Sequence, residues 1–473
     1  MNLLLYTLFG TVFASDYLAD NVSKYFRLLP EFLSGVIFLF VVLKIGIDRS
    51  ISISNKYVIL GIVVSLHVVA GLLINFVAPG TVLNGLRPYL KLMPVFLLPA
   101  VSHVSDTQLR HQLQFLLVLA VLQTPLAFYQ RLIEFRYAGT GDVITGTLGS
   151  GGSGALSFLL VSGIAILFSY YLAGRLKTGA FLVLAVVLFL PTAINETKVT
   201  LVLIPIALLL PLMYSRGRKL SVWQYAAFGA AAIVLIAGYV AIYDYVAAQL
   251  GREQLANLVG TEKSATQYLY RGTDRELKAL NKRDLPNLRL PKERVDLSEK
   301  GRRLDDLLLP LKYHYQNDPV QLWVGTGVGN TSEAFIKRFS GELAERVGES
   351  GKGMLVSFVL WDMGTGGVLL FLVFMFFLFS DAHRLAQQKT EVTTFAIGWL
   401  AVLAMTLLTS VYLNMLYMNA LGYVVAYFSG YVAAERYRLS VSGRASVAGE
   451  RTVPAPAGNL RSLGGIGTTS RMR

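Results

Sequence analysis

The chain has 473 residues, 54% of them hydrophobic, a formal net charge of +14 and no cysteine. Its mean hydropathy of +0.53 and its apolar share exceed the roughly 45–50% of a soluble domain, and the lack of cysteine excludes a disulfide framework and a thiolate metal site. The positive charge does not form a nucleic-acid patch: the basic residues flank apolar blocks and fill a tail, as positive-inside anchoring requires.

In chain order, apolar blocks fall near 2–19, 29–47, 57–78, 88–102, 110–129, 154–173, 178–194, 199–214, 223–246, 353–380, 393–412 and 414–433. Their length of about 17 to 25 residues suits a membrane-spanning helix, and none alternates as a barrel strand would. The expectation is an all-α polytopic membrane protein of about twelve transmembrane helices. Nine of these precede residue 247, and three occupy 353–433. In the first block, Val12-Phe13-Ala14-Ser15 resembles a signal-peptide end, but no basic segment precedes it, so an uncleaved helix is expected.

Between the two apolar regions lies residues 247–352, with eighteen Lys or Arg against fifteen Asp or Glu. Here Thr273-Asp274-Arg275-Glu276 reads as a capping box that starts a short helix ending before Pro286. A second helix is expected from about Asp296 to Tyr315, stopped by Asp318-Pro319. From 434 to 473 the chain mixes Arg with Ser, Gly, Ala and Pro, and has too little apolar surface to fold. A disordered basic tail is expected there.

With the N-terminus inside, the inner loops hold eleven Lys or Arg (Lys44, Arg49, Lys56, Arg110, Arg175, Lys177, Arg216, Arg218, Lys219, Arg384, Lys389). The short outer loops hold six: Lys24, Arg27, Arg87, Arg131, Arg136 and Lys198. This asymmetry places both termini in the cytoplasm and the long loop outside.

Some outer charges stand where chemistry could use them. Arg87 precedes Pro88, which the pattern places in the first turn of the fourth span, with Lys91 one turn deeper on the same face. Cations directed into a bilayer usually face a polar cavity, and two stacked cations at an outer mouth suit a phosphate or pyrophosphate. Snorkelling to headgroups is the plainer reading. Arg131 and Arg136 lead into the glycine-rich run Gly139–Gly154, whose N–H groups could hold an anion or simply form a flexible turn. In the turn Asn195-Glu196-Thr197-Lys198, Lys198 is either a ligand group or the partner of Glu196. The long loop adds Arg302 and Arg303 about twenty residues before Trp323-Val324-Gly325-Thr326-Gly327, then Glu333, Glu342, Glu345, Glu349 and Lys352. A carboxylate among these could act as a general base toward a hydroxyl. His314 has no His or Cys partner in the loop, so no metal site is expected.

The layout resembles the O-antigen ligase/polymerase superfamily, membrane glycosyltransferases that use undecaprenyl-pyrophosphate-linked sugars. The likeness rests on about twelve helices with one large outer loop between spans nine and ten, Arg87 with Lys91, the Gly146–Gly154 turn, and the hydrophobic run led by Lys198. It rests further on Arg302 or Arg303 ahead of Gly325-Thr326-Gly327-Val328-Gly329, and on Asp362-Met363-Gly364-Thr365-Gly366-Gly367 where the family often reads Glu-x-Gly-Leu-Ile-Gly. Ligases of this family usually carry a histidine near the position of Ser350-Gly351-Lys352-Gly353, and this chain has none there. That departure favours a polymerase over a ligase.

The resemblance implies a bacterial cytoplasmic-membrane enzyme that performs an inverting glycosyl transfer without cofactor or metal. Arg87, Lys91, Arg131, Arg136, Lys198 and Lys352 are the expected substrate contacts, Arg302 and Arg303 would steady the leaving group, and Glu349, then Glu333, would serve as base or acceptor contact. The expected partners are the undecaprenyl-pyrophosphate-linked donor and acceptor, membrane lipids, and a chain-length regulator or export protein, but no nucleic acid. A flippase for lipid-linked sugars is the main competing class. It would be expected to show interrupted helices with charges near the midplane. A scaffold would tolerate loss of the outer cations.

Overall fold

A computed structural model describes residues 2–136, 141–214, 303–334, 336–344, 353–388 and 391–451, with isolated positions between 237 and 244. The described residues form helices and no strands: α1 (Asn2–Asn21), α2 (Leu29–Asp48), α3 (Asn55–Asn75), α4 (Pro79–Leu90), α5 (Met93–Val101), α6 (Asp106–Tyr129) and α7 (Ser153–Leu172). They continue with α8 (Thr178–Ile194), α9 (Thr200–Tyr214), α10 (Arg303–Asn317), α11 (Pro319–Val324), α12 (Leu355–Ala386), α13 (Glu391–Thr409) and α14 (Asn419–Arg451). Among the described residues, six helical stretches are long and apolar enough to cross a bilayer, as in a multi-pass membrane protein: Lys24–Asp48, Asn55–Asn75, Asp106–Glu134, Ser153–Leu172, Leu355–Ala386 and Val392–Thr409. α8 and α9 are apolar but shorter. Most of the predicted block 223–246 and all of the predicted helix at 273–286 lie outside the described residues.

Burial separates a core from a rim. α7 and α13 bury most of their length, whereas α2 and α3 leave large apolar side chains such as Phe38, Leu39, Ile59 and Leu66 exposed, as lipid-facing helices do. α7 packs against α8, α9 and α13, while α5 lies along α14 and α2. Between them sits an aromatic cluster of Phe9, Phe395, Trp399, Tyr427, Phe428 and Tyr431, with Phe395 stacked on Trp399 at 5.5 Å between centroids. α6 begins with a capping box: Gln108 N–H donates to Ser105 Oγ, and Ser105 N–H donates to Gln108 Oε1.

Two elements differ from the sequence reading. The fourth span is broken in two. Pro79, not Pro88, stands in the first turn of α4, and Pro88 lies inside it. The helix stops at Leu90 because Pro94 has no N–H to give the Leu90 carbonyl, so α5 starts afresh at Met93. Lys91 sits at this break, where its carbonyl accepts a bond from Ser34 Oγ of α2. The tail also differs. α14 continues to Arg451, past the predicted end of order near residue 434, and no proline interrupts it before Pro454. Arg438 fixes the helix by donating to the carbonyls of Pro99 and Ser102 beyond the end of α5.

The expected helix of the long loop is described from Arg303 and ends at Asn317, just before Asp318, whose side chain accepts from Val320 N–H to cap α11. Pro319 occupies the first turn of α11. α10 and α11 dock on α12. His314 is buried there: Nε2–H donates to the Leu360 carbonyl at 3.0 Å, and the ring meets Trp361 edge-on.

Candidate functional site

The glycine motifs of the loop and of α12 are two halves of one joint. Thr326 donates both its N–H and its hydroxyl to the Trp361 carbonyl at 2.8 Å, and Thr365 Oγ1 donates to the Leu322 carbonyl at 2.7 Å. Gly325 and Gly364 both have left-handed φ, 73° and 63°, and a Cβ on either would stand 2.6 Å from the other's backbone nitrogen. Only glycine fits both demands. The same loop then meets α4, where a Cβ on Gly85 would lie 2.2 Å from the Gly329 Cα.

Asp362, fully buried in α12, ties the three pieces together. Its Oδ1 accepts the Gly329 N–H at 3.2 Å and its Oδ2 accepts the Tyr89 hydroxyl at 3.1 Å. Tyr89 stacks on Phe358 at 5.8 Å. This carboxylate therefore anchors the last turn of α4, from which Arg87 and Lys91 project on the other side, and the loop that carries Glu333.

Those three residues line one polar cavity of about 320 Å³, together with Asp16, Arg27, Glu31, Asn84, Tyr417 and Asn419. Arg87 Nε donates to Glu31 Oε2 at 2.5 Å. Lys91 Nζ donates to Asn419 Oδ1 at 2.8 Å and stands 4.0 Å from Glu31 Oε1, with only 8% of its side chain exposed. Arg27 holds Asp20 at 2.5 Å and lies 3.9 Å from Asp16. Burial pushes the Tyr417 hydroxyl up to about 12, so it remains a hydrogen-bond donor at neutral pH. The cavity thus combines three cations with the carboxylates of Asp16, Glu31 and Glu333, among the described residues. An anionic group entering it would meet charge-assisted donors from the turn Lys24–Leu28 and from the end of α4, and a hydroxyl would find carboxylates able to take its proton.

Arg87, Lys91 and Glu333 are the predicted residues that the fold brings together. Arg131, Arg136 and Lys198 do not line this cavity. Arg131 lies within a π-helical turn, Gln130–Glu134, and pairs with Glu196 at 3.4 Å, both side chains mostly buried. Glu196 thus bonds Arg131, a partner from the remote end of α6. Glu349, Arg302 and Lys352 lie outside the described residues, as does the side chain of Arg303.

Six N–H groups of the glycine-rich run are already engaged. Gln130 Oε1 accepts from the N–H groups of Thr145 and Gly146, Gln123 Oε1 from Thr147, and Asp20 Oδ2 from Ser150. The N–H groups of Leu148 and Gly152 bond to carbonyls within the run. Two α6 glutamines and an α1 aspartate thus hold the loop, with Leu148, Gly149 and Ser150 forming a cavity wall.

Asp16, Glu31, Asn419 and Tyr417 belong to no motif in the sequence, and Arg27 stands there only as one of six outer-loop cations. One signal was available for the first: Asp16 and Asp20 are the only charges in α1, and four residues apart they share a face. Glu31 likewise is the sole charge in the first half of α2. No family model matches this chain, and no curated protein matches it.

Proposed function

We propose that the chain is a membrane glycosyltransferase that polymerises undecaprenyl-pyrophosphate-linked repeat units on the outer face of a bacterial cytoplasmic membrane. The observation that carries this reading is the convergence of Arg27, Arg87 and Lys91 on one polar cavity at the bundle end that the basic-residue count assigns to the outside. In the proposed step, an acceptor sugar hydroxyl attacks the anomeric carbon of the donor. The bond from that carbon to the pyrophosphate oxygen breaks, and its electron pair leaves with the pyrophosphate. The three cations stabilise the charge that gathers there. A carboxylate at the cavity, Asp16, Glu31 or Glu333, takes the hydroxyl proton.

A second reading, movement of the lipid-linked sugar across the membrane, draws support from the interruption between α4 and α5, with Lys91 at the break. Broken helices with a charge at the gap are a feature of transporters.

One reconstitution separates the two. Purified chain in lipid receives lipid-linked repeat units, and products are sized on a gel while sidedness of the substrate is followed. A product ladder is expected, reduced about 10²–10³-fold in Arg87→Ala and in Lys91→Ala. A single transfer to another acceptor would make the chain a ligase. Substrate crossing without transfer would overturn the enzyme reading.

A further inference from the structure

A second cavity, of about 590 Å³, lies away from the polar one, enclosed by α6, α7, α8, α13 and α14. Its walls are apolar, with Leu113, Leu117, Ile166, Val402, Val425 and Phe428 among them. One end is different: there the lining includes Arg110 from the first turns of α6, and Tyr170 and Arg175 from the end of α7. Both arginines are exposed, on the side that the basic-residue count assigns to the cytoplasm.

The dimensions fit a particular guest. Along α6 the lining runs from Arg110 to Ala120, which at 1.5 Å per residue is about 15 Å. That is half of a hydrocarbon core of about 30 Å, the depth of one leaflet. We propose that this cleft binds one anionic phospholipid of the cytoplasmic leaflet, with its phosphate between Arg110 and Arg175 and one acyl chain in the apolar interior. Two guanidiniums at the mouth match the phosphate in charge and in hydrogen-bonding geometry. The chain of a polyprenyl carrier extends well beyond one leaflet and would overfill the space. The site is separate from the sugar-transfer cavity and stands whether or not that reading holds.

The test is native mass spectrometry of the full chain titrated with phosphatidylglycerol or phosphatidylcholine. Phosphatidylglycerol is expected to be retained preferentially, with the preference falling roughly 10–30-fold in the Arg110→Gln/Arg175→Gln variant. Val425→Trp, which fills the apolar part, should reduce retention of both lipids. If the double variant does not fold, as judged by its elution and melting profile, Arg175→Gln alone should lose part of the preference, because Arg175 is exposed beyond the helix end. Equal retention of the two lipids by the unaltered chain would overturn the proposal, as would an unchanged preference in the arginine variants. So would displacement by inorganic phosphate alone, or by undecaprenyl phosphate at lower concentration than phosphatidylglycerol.

Discussion

A carboxylate buried within a helix bundle persists only where donors surround it, and Asp362 has the Gly329 N–H and the Tyr89 hydroxyl. Asp362→Ala would leave both donors buried and unpaired, at about 1–3 kcal/mol each. We expect that variant to lose its elution peak at a lower temperature, while Tyr89→Phe, which removes the donor itself, costs only about 1 kcal/mol. If heating curves show Asp362→Ala as stable as the unaltered chain, the clamp between α4, α12 and the loop is not structural. Arg87 and Lys91 were legible in the sequence because a cation near an apolar block is conspicuous. Of their counterparts, Asp16 and Glu31 show only as rare charges in apolar helices and Asn419 shows not at all, and the three, from α1, α2 and the start of α14, meet only in the fold. Gln123 and Gln130 give the reverse lesson: they look like indifferent polar residues, yet they occupy three of the N–H groups at the start of the glycine run, those of Thr145, Gly146 and Thr147.

At the scale of elements, both glycine motifs were visible in the sequence, but their pairing was not, since backbone contact between remote turns leaves no periodic trace. Gly364→Ala forces a left-handed φ on alanine and a Cβ into the Gly325 nitrogen. The expected result is separation of α11 from α12, read as faster hydrogen exchange over 319–330. Docking of α10 should in turn depend on pH through His314. Burial lowers its affinity for protons below that of an exposed histidine, ordinarily near 6.5. Its Nδ1 is buried without a hydrogen-bond partner among the described residues. The undocked helix therefore binds the proton more readily than the docked one, so docking is full above about pH 6.5 and weakens as pH falls below it. Limited proteolysis of α10 between pH 7.5 and 5.5 should show increasing cleavage, and His314→Gln should flatten the trend. Cleavage independent of pH in the unaltered chain would refute the linkage.

The whole molecule was legible where its physics is additive. Block length and hydropathy are sums over neighbouring residues, so α2, α3, α6, α7, α12 and α13 could be placed from sequence to within a few residues. The break at Lys91 and the continuation of α14 to Arg451 depend instead on local chemistry: Pro94 ends one helix, while the first tail residues meet no proline and gain anchorage through Arg438. Orientation is the whole-molecule property on which both cavities depend, since it decides which of them faces the cytoplasm. Eleven basic residues in one set of loops against six in the other favour an outer position for the Arg87 cavity. The absence of cysteine makes this directly measurable, because any introduced thiol is the only one. Ser150 borders the Arg87 cavity, and Thr178 begins α8 at the opposite end of the bundle. In intact cells a membrane-impermeant maleimide should label Ser150→Cys, and should label Thr178→Cys only after permeabilisation. The opposite pattern would put the Arg87 cavity in the cytoplasm, away from any acceptor outside the cell, and the lipid cleft in the outer leaflet.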